Sequence, residues 1–213
     1  MVVLRLLIDV LTKRDLMVIK LHDILSNFSE DPFLPFGVSY LVTIVRSSPY
    51  LKKSIESILP YASEIIVVDG TKGNDHYLVV KEFGDKVQYF HDDTFGEHWC
   101  FNDLVHALNL GKSHCSYRWI FKWDCDMVAL EGFQNWVDKL KQLDPRFYYE
   151  VDVARIDSST VVPFGGYEAR LYTQHKKLKY FLSKLSGMDQ MIFPLTWKLL
   201  RWNERYIQHC YPK

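Results

Sequence analysis

The sequence predicts an α/β fold built on a mainly parallel central sheet with helices on both faces. Three observations predict it. Short continuous apolar runs rich in β-branched residues, such as "SYLVTIV" (39–45) and "EIIVVDG" (64–70), read as strands buried on both faces. Helical spacing separates one run from the next through residue 145, the alternation that generates βαβ units. Aspartates close two of the runs, Asp69 and Asp124, and in such sheets ligands bind beyond the carboxyl ends of the strands.

The elements follow in order. After the strand at 39–45, "SSPYLKKSIESILPY" places a serine before a proline and then spaces Leu51, Ile55, Ile58 and Leu59 along one helical face. The strand at 64–70 ends in Asp69 and a glycine turn, "DHYLVVKEFG" makes a short helix, and "KVQYFH" (86–91) is the third strand. "FGEHWCFNDLVHALNLGKS" is a helix, with Gly111 as its expected stop. "YRWIFKWDCD" is the fourth strand, and "EGFQNWVDKLKQL" an amphipathic helix ended by "DP". Beyond residue 145, "FYYEVDVARIDSSTVVPFGG" and "EARLYTQHKKLKYFLSKL" read as strands joined by loops. "SGMDQM" is expected to start a helical turn, and "LTWKLLRWNERYIQ" to be the last helix.

With 213 residues, no repeat and no linker, the chain is read as one domain over 38–213, preceded by an N-terminal extension at 1–37. "MVVLRLLIDVLTKRDL" is too short to span a bilayer, and Arg5 and Asp9 break it as a signal peptide. It is either an amphipathic helix or an added extension upstream of a native start at Met17. A formal charge of zero argues against nucleic acid as the partner. Cys100, Cys115, Cys125 and Cys210 form no CxxC pair, so they read as intracellular thiols in a cytoplasmic protein.

Chemistry concentrates in "FKWDCDMV" (121–128), where Asp124 and Asp126 stand one residue apart at the end of an apolar strand. Hard divalent cations take oxygen ligands, and Mg²⁺ is commonly held by one or two carboxylates plus substrate phosphates. A cation here would bridge the phosphates of a nucleotide diphosphate and neutralise charge on a departing diphosphate. An ordinary strand ending in solvated charge is the plain alternative.

Together, "VTIVRSSPYLKKSIESILPYASEIIVVDGTKGND" and "FNDLVHALNLGKS…YRWIFKWDCDMV" resemble the GT-A glycosyltransferases, family 2 in particular, over roughly residues 38–130. "GGYEARLY" (165–172) is similar to the E-x-R-L stretch of one branch. The small size also resembles glycosyltransferase-like proteins of crenarchaeal viruses, which implies a host-cytoplasmic location. The resemblance implies a Rossmann-like nucleotide-diphospho-sugar transferase fold, with 38–130 binding the donor and 131–213 forming the acceptor side. It implies a nucleotide-diphosphate sugar donor, a divalent metal (Mn²⁺ or Mg²⁺), a protein or glycan acceptor, and inverting transfer. Thr43 and Val45 would line the nucleobase pocket and Asp69 would accept a hydrogen bond from the base. Asn102 would lie near the donor, Asp124 would face ribose and metal, and Asp126 would be the main metal ligand.

Inverting transfer also needs a carboxylate base. The family places it late in the chain, within an E-D pair, and no E-D pair follows the first strand here. Asp189 in "SGMDQ" is the first candidate, because a helix N-terminus keeps a carboxylate ionised; Glu168 is the second. Each residue has a structural alternative. Asp69 caps the turn "DGTKGND", Asn102 is an ordinary helix residue, Ser186 and Asp189 form a capping box, and Glu168 pairs with Arg170. The first loop, "RSSPY", departs from the family's small residue and "YN", which leaves base preference open. "KLLRW" (198–202) has lysine where a Q-x-x-R-W motif needs glutamine, so Trp197 and Trp202 read as core, and His175 and His209 as surface residues.

Two rivals remain. "IFKWDCDMV" also resembles the D-x-D-x-V strand of haloacid-dehalogenase-type phosphatases, but no later apolar strand ends in paired aspartates. A non-catalytic GT-A protein, binding a sugar nucleotide or serving as a structural module, would keep Asp69 and the D-x-D pair without a base.

Overall fold

The computed structural model describes residues 34–73, 75–92, 100–143, 147–157, 160–175, 178–182, 189–191, 198–202 and 207–209. The readings of residues 1–33, Met17 included, and of Ser186, Trp197 and Cys210 fall outside them.

The first half alternates as the sequence predicts. Strand β1 (Val38–Ile44) leads to α1 (Leu51–Ile58), then β2 (Glu64–Asp69), α2 (Asp75–Val80) with a 3₁₀ turn (Lys81–Lys86), and β3 (Val87–His91). Next come α3 (Phe101–His114), β4 (Trp119–Asp124), a short β5 (Met127–Ala129) and α4 (Phe133–Lys139). Strands β6 (Phe147–Asp157), β7 (Thr160–Thr173), β8 (Tyr180–Leu182), β9 (Asp189–Met191), β10 (Lys198–Trp202) and β11 (Ile207–His209) complete the described chain.

Among the described residues, the main sheet runs β3-β2-β1-β4-β7-β6-β11-β5, with β10 beside β6. Strands β3, β2, β1 and β4 are parallel to one another; β7 is antiparallel to both β4 and β6. Alternation along each strand builds two cores. Tyr40, Val42, Ile65, Val67, Phe121 and Trp123 pack under Leu51 and Ile55 of α1 and Phe133 and Trp136 of α4. Leu41, Ile66, Val68 and Ile120 pack on the other face under Ala107 and Leu108 of α3. The helices thus cover both faces, as the buried strands demand.

Three expectations are corrected. Gly111 does not stop α3, which continues to His114. Its reason is close approach: a Cβ there would overlap Leu41 Cδ1 and come within 2.8 Å of Val68 Cγ2, so glycine lets the helix sit down on the sheet. Residues 189–191 form strand β9, a hairpin partner of β8, and not a helix start. The expected last helix is instead two strands, β10 parallel to β6 and β11 between β6 and β5. Short apolar runs fit either period, and here pairing with a distant strand decides.

Candidate functional site

Register brings the two sequence-predicted aspartate positions to one edge of the sheet. Asp69 ends β2 and Asp124 ends β4, the strands flanking β1, where Ile44 pairs with Asp69 and Thr43 with Asp124. Two strand spacings, about 10 Å, separate their backbones. Alternation sends Asp69 to the α1 side with Ile65 and Val67, and Asp124 to the α3 side with Ile120.

Asp69 is wholly buried. Its Oδ1 accepts from the Thr71 amide (2.8 Å) and hydroxyl (2.7 Å), and its Oδ2 from the Tyr89 hydroxyl (2.8 Å) and His76 Nδ1 (3.0 Å). A carboxylate offers about four lone-pair positions. The chain's own donors therefore fill them all, and a nucleobase N–H would have to share or displace one, Thr71 and Tyr89 being the partners on half-buried residues. Burial pushes the Asp69 carboxyl up, but hydrogen bonds from His76, Thr71 and Tyr89 outweigh it and hold it below the usual range. Tyr89 moves the other way, raised by burial and by its bond to the carboxylate. The turn role considered for Asp69 is real, since it bonds Thr71 two residues on.

The D-C-D turn joins β4 to β5, and its backbone is gripped by serines of α1 and the loop before it. Ser54 Oγ donates to the Asp124 carbonyl (3.4 Å) and accepts from Trp123 Nε1 (2.9 Å). Ser48 Oγ donates to the Cys125 carbonyl (3.3 Å), and Ser57 Oγ accepts from the Ala129 amide (3.0 Å). Cys125 packs against the α1-side core between the aspartates, and burial pushes its thiol up to about 12, which disfavours the reactive thiolate.

Asp124 has a partner the sequence did not reveal. Arg170, 1% exposed, donates from Nη2 to Asp124 Oδ2 at 2.9 Å and from Nη1 to the Lys122 carbonyl at 3.4 Å. Between β6 and β7 the register jumps from Tyr149–Leu171 to Glu150–Ala169, so Arg170 is the extra residue of a bulge that turns its side chain toward β4. Arg170 was expected to be a partner of Glu168; its described carboxylate contact is Asp124. The signal lay in the E-x-R-L stretch, read for its glutamate.

Asp124 and Asp126 suit a hard cation in kind: both are carboxylates and partly exposed, Asp124 at the end of β4 and Asp126 in the two-residue turn that follows. No group of three or more His, Cys, Asp or Glu that could hold a metal ion converges among the described residues. Thr43 is buried in register with Asp124, and Val45 is half-buried against the α3-side core. Asn102 is exposed in the first turn of α3. Glu168 stands on β7 two residues before Arg170, and Asp189 stands on β9 opposite Leu182; their side chains lie outside the described residues. The helix-start argument for Asp189 therefore fails, because that backbone is strand.

His76, Thr71 and Tyr89 escaped sequence reasoning: Thr71 lies in the turn "DGTKGND", read for Asp69, and His76 and Tyr89 belong to no motif. A cavity of about 580 Å³ lies at the opposite end of the sheet, lined by Asn109, Lys112, Gln174 and His175. Burial lowers the Lys112 amine to about 8, and it donates to the His175 carbonyl at 2.6 Å, tying α3 to the segment after β7. No helix among the described residues is long and apolar enough to cross a membrane.

No protein-family model matches the sequence, and no curated protein matches it. Solved structures do. Structures similar to this chain include S. aureus TarS (TM-score 0.60, 10% identity, 83% of this chain and 37% of that one). TarS 1-349 matches at TM-score 0.61 and 11% identity over 82% of this chain and 60% of that one. TarS 1-349 in complex with UDP-GlcNAc matches at 0.60 and 10% over 84% and 59%. The chain thus spans less than two thirds of each of these proteins. At such identity the likeness speaks to architecture alone, and with the strand order above it gives the conclusion that this chain has a GT-A-like, glycosyltransferase-like fold.

Proposed function

We propose that the protein is a family 2-like glycosyltransferase that moves a sugar from a nucleotide-diphosphate donor to an acceptor hydroxyl, with inversion and with a divalent metal. The observation that carries the reading is the placement of Asp69 and the D-C-D turn around β1 at the carboxyl edge of a GT-A-like sheet. In this reading Thr43, Val45 and the Asp69 network surround the nucleobase, and Asn102 approaches the donor. Asp126, with Asp124, would hold Mn²⁺ or Mg²⁺, which would neutralise charge on the diphosphate. Arg170 fixes the rotamer of Asp124 and offsets part of its charge. The acceptor oxygen bonds to the anomeric carbon as the bond to the diphosphate breaks, and a carboxylate takes the acceptor proton. Glu168 or Asp189 is that base. Residues 38–130 act as the donor half and 131–213 as the acceptor half, open to a protein or glycan, in the cytoplasm.

A sugar-nucleotide-binding module without turnover is the second reading, favoured by the engagement of Asp124 with Arg170. TarS was solved with UDP-GlcNAc, so UDP-sugars are the first donors to test. Donor hydrolysis and transfer by wild type and Asp126→Ala, with and without Mn²⁺, decide between the two. Metal-dependent turnover lost in the variant supports the transferase; donor binding without turnover on any acceptor supports the module.

A further inference from the structure

We propose that His76 is a positioning residue that couples the two ends of the donor site. This rests on the donor-binding reading above and assigns a role to a residue outside its motifs. His76 is buried in the first turn of α2, 7% exposed, beside the end of β2. Its Nδ1 faces Asp69 Oδ2 at 3.0 Å, and its Nε2 accepts the Ser48 amide at 3.4 Å. Ser48 N–H requires an acceptor at Nε2, which places the ring proton on Nδ1, donating to Asp69. Ser48 Oγ then donates to the Cys125 carbonyl at 3.3 Å, inside the D-C-D turn. On the other side, Asp69 holds Tyr89 and Thr71.

The result is one continuous path: Tyr89, Asp69, His76, Ser48, Cys125. It runs from the end of β3, past the end of β2 and the first loop, to the turn after β4. A carboxylate with all its acceptor positions engaged and a neutral imidazole with both nitrogens engaged have one low-energy arrangement, so a shift at either end is transmitted. Nothing in a purely filling role requires both nitrogens of a buried ring to be matched in this way. The loop held by Ser48 stands between the nucleobase end and the carboxylate pair, so His76 sets their spacing.

Two substitutions separate the links. His76→Asn keeps a donor near the Nδ1 position and removes the acceptor for Ser48. His76→Gln keeps an acceptor near the Nε2 position and removes the donor to Asp69. The assay is calorimetric titration of UDP and GDP, each with and without Mn²⁺, together with the matching nucleosides. Loss of one hydrogen bond corresponds to roughly a fivefold change. His76→Asn is expected to preserve nucleoside affinity and to reduce the Mn²⁺ enhancement of nucleotide affinity about fivefold. His76→Gln is expected to weaken nucleoside and nucleotide alike. Should wild type bind nucleotide while both variants stay within twofold of it and lose only thermal stability, the positioning role is overturned and donor binding stands. Should wild type bind neither nucleotide under either metal condition, donor binding falls and the positioning role falls with it.

Discussion

The contact between Arg170 and Asp124 yields the sharpest stability prediction. At 2.9 Å and an effective dielectric of about 20, the attraction is about 6 kcal/mol. Water reaching Asp124, whose side chain is 29% exposed, and the desolvation of Arg170, 1% exposed, offset more than half of it. A coupling of about 2–3 kcal/mol is left, inside the range measured for close charge pairs. The two single changes are unequal in kind. Asp124→Asn leaves a buried guanidinium facing a neutral amide and costs about 3 kcal/mol, roughly 6–12 °C in Tm for a chain of 213 residues. Arg170→Met leaves a carboxylate that recovers water and costs about 2 kcal/mol. The assay is a double-mutant cycle by urea denaturation on wild type, both single variants and the double. The double variant is expected to be more stable than the sum of the single losses predicts, by the coupling above. Additivity within about 0.5 kcal/mol would refute the pairing and leave the bulge at Arg170 without its explanation.

Three further outcomes follow from the same geometry. Gly111→Ala gains about 1 kcal/mol of helix propensity but drives a methyl into Leu41 and Val68, so it should destabilise by a net 1–2 kcal/mol or so in denaturant titration; stabilisation would contradict the close approach. Asp69 has a folded-state pKa below its unfolded value, so its contribution is present above about pH 4 and is lost as pH falls through the depressed folded value. Asp69→Asn should therefore flatten the acid limb of the stability profile, and an unchanged limb would refute the network. Cys125 should resist alkylation at pH 8 in the native state, as should buried Cys115, while exposed Cys100 reacts, read by mass-spectrometric peptide mapping.

The first half of the fold was legible because its strands are buried on both faces, which forces continuous apolar runs, and because each is followed by its own helix. The later strands carry no such mark. "KLLRW" becomes a strand by lying beside Phe147–Val151 of β6, some fifty residues earlier, and no local period records that. "DQM" is a strand because Tyr180–Leu182 is there to pair with it. Gly111 had the residue type of a helix stop, and only the proximity of Leu41 shows it to be a contact residue. At the site, spacing marked the strand-end aspartates but not what holds them. Arg170 lies 46 residues from Asp124 and reaches it through a bulge, and His76 meets Asp69 only because α2 folds back over the end of β2. Polar partners of this sort are set by tertiary register, which a single sequence states only indirectly.

The central claim, that the carboxyl edge around β1 binds a nucleotide diphosphate through Asp126 and Asp124 with a metal, is tested most directly by calorimetry. UDP and GDP are titrated with and without Mn²⁺ into wild type and Asp126→Ala. The account predicts metal-dependent binding of one nucleotide, weakened at least tenfold in the variant, with the variant's Tm close to wild type. No binding of either nucleotide under either condition, or binding indifferent to both Mn²⁺ and Asp126→Ala, would contradict it.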